Sequence, residues 1–131
     1  MLEKSFRIGI IADIHSNLSR TKQALKFMGK VDLLLCAGDF LDGFRPISDF
    51  RKTYKQFAQI FGEYNCLLVP GNHEIKDENL QIGELEKFSI HKKCVKVDEI
   101  NIVGYGGGVA PPMNGVDSKL YSPEKIYSTI P

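Results

Sequence analysis

The sequence predicts an α/β fold built around a parallel β-sheet. Three short apolar segments, residues 6–12, 31–37 and 66–69, are rich in branched aliphatic side chains, and turn residues follow each of them. Segments of this length and composition are typical of strands buried on both faces of a sheet. Helical patterns lie between them, so the order is β-α-β-α-β, which requires right-handed crossovers and a parallel sheet.

Two amphipathic helices are expected between the three strands. Apolar residues recur at helical spacing across residues 18–28, with Asn17 as a candidate N-cap and Gly29 as a stop. The second helix is expected to begin at Pro46 and to end at Gly62. One face of the second helix carries an apolar stripe that we assign to the core. Its members are Ile47, Phe50, Tyr54, Phe57, Ala58 and Phe61.

The pattern changes after the third strand. Residues 74–87 are polar and carry a weak helical signal, whereas residues 94–97 and 100–103 are expected to form a hairpin that turns at Asp98. The glycines of residues 104–108 match neither phosphate-binding glycine pattern. We therefore expect them to form a tight loop beside the site.

The length of 131 residues corresponds to one domain. Ser122 and Pro123 are typical of a new helix, yet few residues follow them. Residues 1–131 are therefore expected to form a single domain that is the N-terminal portion of a larger architecture.

The composition narrows the classes of partner. Seventeen basic residues oppose sixteen acidic ones, and this net charge of +1 gives no electrostatic signal for nucleic acid or for an anionic membrane. No apolar run approaches the length of a membrane span, and no secretory signal is evident. The three cysteines lack metal-binding spacing and are expected to be buried free thiols in a reducing compartment. These features favour a cytoplasmic protein.

Polar side chains follow each of the three expected strands. Asp13 and His15 come after the first, Asp39 after the second, and Asn72 and His73 after the third. Ligands of open α/β sheets bind at the carboxyl ends of the strands, so these groups should share one edge. Carboxylates combined with imidazole suit Mn, Fe, Zn, Co or Ni. The sequence therefore predicts a divalent metal site at this edge, and the two oxygens of Asp39 could bridge two ions.

Three short motifs resemble a known family. They are Asp-Ile-His at residues 13–15, Gly-Asp at 38–39 and Gly-Asn-His-Glu at 71–74, in this order along the chain. They are similar to the first three sequence blocks of the calcineurin-like metallophosphoesterases, and the resemblance covers roughly residues 6–110. It implies a metallophosphoesterase-type αββα sandwich that is incomplete at its C-terminus.

The resemblance implies a role for each residue of these motifs. Asp13 and His15 would bind the first metal ion, Asp39 would bridge both ions, and Asn72 would bind the second ion through its carbonyl oxygen. His73 would be catalytic, because it would face the phosphate and stabilise the transition state or protonate the leaving oxygen. The complete domain would thus hold two divalent metal ions.

The chain departs from the family pattern in one respect. The later lone histidine and the Gly-His-x-His block are absent, and the remaining histidine, His91, is expected to lie on the surface. The first ion would keep Asp13, His15 and Asp39, whereas the second would keep only Asp39 and Asn72. We therefore expect at most one well-held ion in this chain.

Three further residues are candidates for supporting roles around the ligands or on the substrate side. Asn17 is expected chiefly as a helix cap and Asp42 chiefly as a turn residue, with a contact to ligands or substrate as the alternative. Glu74 occupies the acidic position of the third motif and is expected to support the site rather than to bind metal.

The first hypothesis is metal-dependent hydrolysis of a phosphomonoester or phosphodiester by a metal-activated hydroxide at a dinuclear site, impaired in a chain of 131 residues. The alternative is a non-catalytic binding or scaffold module that retains the fold with an incomplete metal site. A nuclease receives no support from the balanced charge. The expected partner is a small phosphate ester, and an exposed sheet edge would favour a homo-oligomer.

Overall fold

The centre of the molecule is a three-stranded parallel sheet, which confirms the predicted α/β class. The computed structural model describes residues 4–42, 50–76, 79–80 and 82–108. The sheet contains β1 (Ile8–Ile11), β2 (Leu33–Ala37) and β3 (Cys66–Val69), hydrogen-bonded in the order β1-β2-β3. Since each strand runs in the same direction, the three carboxyl ends lie at one edge.

Two helices connect these strands. Helix α1 (Leu18–Met28) begins at Asn17, whose side-chain oxygen accepts the backbone N–H of Arg20 at 3.0 Å. It ends at Gly29, which has a positive φ of 71°. Helix α2 (Arg51–Phe61) ends at Gly62 as expected, and the expected start at Pro46 lies outside the described residues.

The core lies between the sheet and the helices. The described part of the predicted α2 stripe is buried, including Phe57 and Phe61, whose rings stack with centroids 5.9 Å apart. These side chains pack with Leu34 and Leu68 of the sheet in one hydrophobic cluster. The assignment of the stripe to the core is therefore confirmed for its described members.

Strand β1 differs from the expectation of burial on both faces. The Ile8 and Ile10 side chains are 39% and 65% exposed, whereas Gly9 between them is buried against Met28 of α1. Met28 of α1 covers one face of β1, and the exposed Ile8 and Ile10 side chains show that its other face lies open among the described residues. The expectation holds better for β2, where both Leu33 and Leu34 are fully buried.

The segment after β3 is less helical than expected. Strands β4 (Ile75–Lys76) and β5 (Asn79–Leu80) form a short antiparallel pair, and a 3-10 helix (Gly83–Phe88) follows. The weak helical signal over residues 74–87 was thus wrong for its first part, because a two-stranded ladder satisfies that backbone. In the 3-10 helix, the buried Leu85 joins the same core as α2.

The predicted hairpin is confirmed. Strands β6 (Lys93–Val97) and β7 (Ile100–Gly104) pair antiparallel, with Val97 opposite Ile100 across a two-residue turn. Asp98, the first residue of that turn, has a positive φ of 54°.

His91 is not the surface histidine that the sequence predicted. It is half-buried, and its Nδ1 accepts the backbone N–H of Gly106 at 2.8 Å. The next glycine, Gly107, donates its N–H to the Pro70 carbonyl at 2.9 Å. The glycine loop is therefore tied to the residue that precedes the third motif, as expected for a tight loop beside the site.

The cysteines are all free thiols, but only two of them are buried. Cys36 and Cys66 lie in the sheet, and burial raises the pKa of Cys66 to about 12. Cys94 is exposed, because it lies on the hairpin rather than in the core, so the expectation of burial was wrong for this residue.

Two further expectations fall outside the described part of the chain. The helix start at Ser122 and Pro123 is one, and the loop at residues 111–115 is the other. Across the described residues, no helix combines the length and the apolar character that crossing a membrane requires.

Candidate metal centre

Three loops meet at the carboxyl edge of the sheet. We call them the strand-end loops: residues 13–16 after β1, 38–41 after β2, and 70–74 after β3. The first two are joined by backbone hydrogen bonds that continue the alignment of their strands. The N–H groups of Asp13 and His15 donate to the carbonyls of Gly38 and Asp39, at 3.1 and 2.9 Å. The positions of the candidate ligands are therefore set by the backbone.

Unusual backbone conformations are concentrated in the strand-end loops. Asp13, His15, Ser16 and Asp39 all have positive φ values, between 46° and 59°. Each such residue costs about 1–2 kcal/mol relative to ordinary backbone, although Asp and Asn tolerate the region better than most. Strain of this kind persists where surrounding contacts over-determine it, and it clusters at functional sites.

Asp13, His15 and Asp39 form a cluster that could hold a metal ion. One potential ligand atom from each residue lies within 4.8 Å of the others. Asp13 Oδ1 and His15 Nε2 are 3.8 Å apart, and both side chains are accessible, with 71% and 43% of their surface exposed. Two carboxylates and one imidazole form a donor set that fits a divalent transition metal. Three of the four predicted ligands therefore lie together at the strand ends.

The orientation of the His15 ring leaves one nitrogen for a metal. His15 Nδ1 lies 3.0 Å from the carbonyl oxygen of Leu41. A carbonyl only accepts hydrogen bonds, so in the neutral ring Nδ1 carries the proton and Nε2 keeps its lone pair. Nε2 is also the nitrogen that faces Asp13. A second hydrogen bond that fixes the tautomer in this way is typical of metal-binding histidines.

His73 lies beside the cluster. Its ring centroid is 5.1 Å from that of His15, in an edge-to-face arrangement. The backbone N–H of His73 donates to Asp39 Oδ1 at 3.3 Å, which holds the third loop against the second. His73, the expected catalytic histidine, therefore lies next to the cluster of Asp13, His15 and Asp39. Its role in catalysis stays a prediction.

Glu74 is fully buried beneath the cluster. Its carboxyl group accepts three backbone N–H groups, from Gly71 at 2.7 Å and from Asp39 and Leu41 at 3.0 Å each. Burial raises the pKa of Glu74, and the three donors oppose this effect because they stabilise the carboxylate. Since both oxygens are occupied by the protein, Glu74 supports the site rather than offering a ligand to it.

Gly71 is required by close packing between two strand-end loops. A Cβ atom at this position would lie 1.8 Å from Asp39 Oδ1 and 2.5 Å from the Asp39 nitrogen. No side chain fits in that space, so the glycine of the third motif allows Asp39 to sit against the loop after β3.

The remaining predicted residues, Asn72, Asn17 and Asp42, lie in the strand-end loops or directly after them. Asn72 lies in the same turn as His73 with an exposed side chain, and its binding of a second ion stays a prediction. Asn17 acts as the cap of α1, the role expected first for it. Asp42 is exposed at the end of the described 4–42 range, and its role stays a prediction.

The sequence did not predict two groups that lie at the candidate site. The Leu41 carbonyl orients His15, and no sequence pattern reveals a backbone acceptor. The other is Arg20, which lines a cavity of about 380 Å³ together with Asp13, His15 and Asn17. Arg20 lies in the first turn of α1, directly after the first motif, and this position in the sequence could have indicated that it lies near the site.

The fold and the cluster define an α/β protein with a candidate metal centre at the carboxyl ends of parallel strands. The model of the calcineurin-like phosphoesterase family matches residues 6–129. The chain therefore belongs to the calcineurin-like phosphoesterases.

The chain is also similar to a curated protein over almost its whole length. The chain is 30% identical over 129 residues to an uncharacterized protein of Methanocaldococcus jannaschii, a match that covers 97% of this chain. It covers 54% of that relative, so the chain spans about half the length of the curated protein that it matches.

Proposed function

We propose that this chain carries one part of the active site of a metal-dependent hydrolase of phosphomonoesters or phosphodiesters. The observation that supports it most strongly is the convergence of Asp13, His15 and Asp39 within 4.8 Å at the carboxyl edge of the sheet. Membership of the phosphoesterase family gives the reaction class. Divalent ions bound there would neutralise the charge of the phosphoryl group and lower the pKa of water.

The residues of this chain would divide the work as follows. Asp13, His15 and Asp39 would hold the first ion, and Asp39 with Asn72 would contribute to a second. The Nδ1–H of His15 stays on the Leu41 carbonyl, so that Nε2 is available as a ligand. His73 would hold a proton close to the leaving oxygen or stabilise the charge of the transition state.

The second ion would have fewer ligands in this chain than the first. The sequence holds three histidines in all, and Nδ1 of the third, His91, already accepts the Gly106 N–H. Asp39 and Asn72 alone make a poor site, so the missing ligands would come from a further segment of a longer chain or from another chain. We therefore propose that residues 1–131 are the N-terminal portion of the domain, with impaired two-metal catalysis by themselves.

The incomplete donor set for the second ion also favours an alternative function. A binding or scaffold module could keep the fold and a single ion at Asp13, His15 and Asp39 without turning over phosphate esters. The two functions share the first ion and differ in whether hydrolysis follows. Mn²⁺ is a suitable metal with which to test both functions, because mixed carboxylate and imidazole donors accept it.

Charge, free thiols and exposed apolar surface indicate the setting of the protein. A small phosphate ester is the proposed substrate, and a net charge of +1 gives no indication of nucleic acid. Three free thiols are in keeping with a cytoplasmic location. The open face of β1, with Ile10 65% exposed, would favour association between copies.

Hydrolysis of chromogenic phosphomonoesters and phosphodiesters tests the proposal. Because its second site is incomplete, we expect only weak turnover by this chain. That turnover should depend on Mn²⁺, be stopped by a chelator and be lost in Asp39→Asn. Glu63→Gln, an equivalent change at an exposed position just after the end of α2, should keep the wild-type rate. Metal binding without hydrolysis, in both this chain and a full-length homologue, would favour the scaffold module. Neither binding nor hydrolysis would reject both functions.

A further inference from the structure

The three backbone N–H groups bound by Glu74 come from two different loops. Asp39 and Leu41 belong to the loop after β2, and Gly71 belongs to the loop after β3. A fully buried carboxylate therefore joins two of the three strand-end loops through its two oxygens. Buried N–H groups need partners, so loss of this carboxylate would leave the three donors without the acceptor that they have now.

The two oxygens of Glu74 have different tasks. Oε2 accepts both the Asp39 and the Gly71 N–H groups, whereas Oε1 accepts the Leu41 N–H at 3.0 Å. Leu41 is the residue whose carbonyl accepts His15 Nδ1. A chain of contacts thus runs from Glu74 through Leu41 to the ring of His15.

We infer that Glu74 is a positioning residue that fixes the Nδ1–H tautomer of His15 through Leu41. By holding the Leu41 N–H, it keeps the Leu41 carbonyl aimed at Nδ1 and so keeps the lone pair of Nε2 directed into the cluster. The same carboxylate holds the Asp39 N–H and with it the positive-φ conformation of that residue. This inference rests on the proposed function only in treating His15 as a metal ligand.

The substitution Glu74→Gln separates the two tasks. The amide oxygen of glutamine should take the Oε2 position, where two donors converge, and this places the NH₂ group against the Leu41 N–H. Two donors then face each other, so Leu41 is released while Asp39 and Gly71 keep an acceptor. Leu85→Ala is the matched control, because it removes a fully buried apolar side chain of the 3-10 helix, which cannot accept hydrogen bonds from these N–H groups.

Nuclear magnetic resonance of the metal-free protein gives the first readout. Long-range proton–nitrogen spectra should show His15 as the Nδ1–H tautomer in the wild type and in Leu85→Ala, but as a mixture in Glu74→Gln. The Leu41 amide should exchange faster with solvent in Glu74→Gln, with the Gly71 amide less affected. An Nε2–H tautomer in the wild type, or an unchanged tautomer in Glu74→Gln, would overturn the inference.

Titration with Zn²⁺ gives the second readout. We expect Glu74→Gln to lower the affinity about 10- to 100-fold, as is common when a residue that supports a ligand is lost. Leu85→Ala should lower the melting temperature without this loss of affinity. Equal affinities in the wild type and Glu74→Gln would refute the positioning role, whereas absence of Zn²⁺ binding in the wild type would refute the proposed function and leave the tautomer test standing. Should Glu74→Gln fail to fold, an Nε2–H tautomer of His15 or an unprotected Leu41 amide in the wild type would still overturn the inference.

Discussion

The strand-end loops and the β6–β7 hairpin show two ways of accommodating residues with positive φ. In the hairpin, Asp98 occupies the first position of a two-residue turn, and a regular ladder on both sides holds it. In the strand-end loops, four such residues lie close together and are held by bonds between loops that are distant in sequence. The positive φ of Asp98 is thus held by neighbouring residues in the sequence. The positive φ values of the strand-end loops are held only when the three loops are assembled at the edge of the sheet.

The difference also appears in burial. Both ends of the hairpin turn are exposed, with Asp98 and Glu99 open to solvent. Beneath the strand-end loops, Glu74 is fully buried and satisfies three N–H groups. The loops therefore tolerate strain because a buried acceptor and close backbone contacts offset it, and changes there should cost far more than changes in the hairpin.

Gly71→Ala should produce the largest loss of stability. The added Cβ would lie 1.8 Å from Asp39 Oδ1, so the second and third loops must separate, at a cost of about 3 kcal/mol or more. The control is Gly29→Ala, where the added Cβ meets nothing within 4 Å. Its cost of about 1–3 kcal/mol comes from the backbone alone, because φ 71° with ψ −152° is a conformation that favours glycine. Urea denaturation of both variants measures the difference. Equal losses would mean that the loops are not in close contact.

His91→Asn should change the pH dependence of stability. Burial, with a further contribution from Lys92, lowers the pKa of His91 below its ordinary value of 6.5. The unfolded chain then binds a proton before the folded one does, so the wild type loses stability as the pH falls below about 6.5. Asparagine keeps an acceptor for the Gly106 N–H but does not titrate, so the variant should lose less. Thermal melts across this pH range check it, and parallel curves would contradict the account.

Asp98→Gly should have the smallest effect, in the opposite direction. Glycine adopts the positive φ of 54° without strain, which gains up to about 1 kcal/mol in the turn. Since the turn is remote from the cluster along the hairpin, Mn²⁺ binding should not change. A loss of stability in Asp98→Gly would show that the Asp98 side chain stabilises the turn by more than the strain that glycine relieves.

These two regions also mark what the sequence could predict. The hairpin, α1 with its Asn17 cap, and the three parallel strands followed from local patterns, because short-range hydrophobic spacing and turn residues determine them. The convergence of Asp13, His15 and Asp39 followed from one topological rule about strand ends. These predictions needed no knowledge of side-chain packing.

The sequence could not predict features that depend on distant contacts. The open face of β1, the half-buried His91 and the exposed Cys94 each depend on which element covers which, and no local pattern encodes that. The link from Glu74 through Leu41 to His15 is carried by backbone groups, which are identical in every residue. A sequence therefore names the candidate ligands more readily than the contacts that orient them.

Calorimetric titration of the chain with Mn²⁺ is the decisive experiment on the metal centre. We expect saturable binding of one ion in the wild type, retained in Glu63→Gln and lost in Asp39→Asn. No binding by the wild type, or binding that Asp39→Asn leaves unchanged, would contradict a metal centre formed by Asp13, His15 and Asp39.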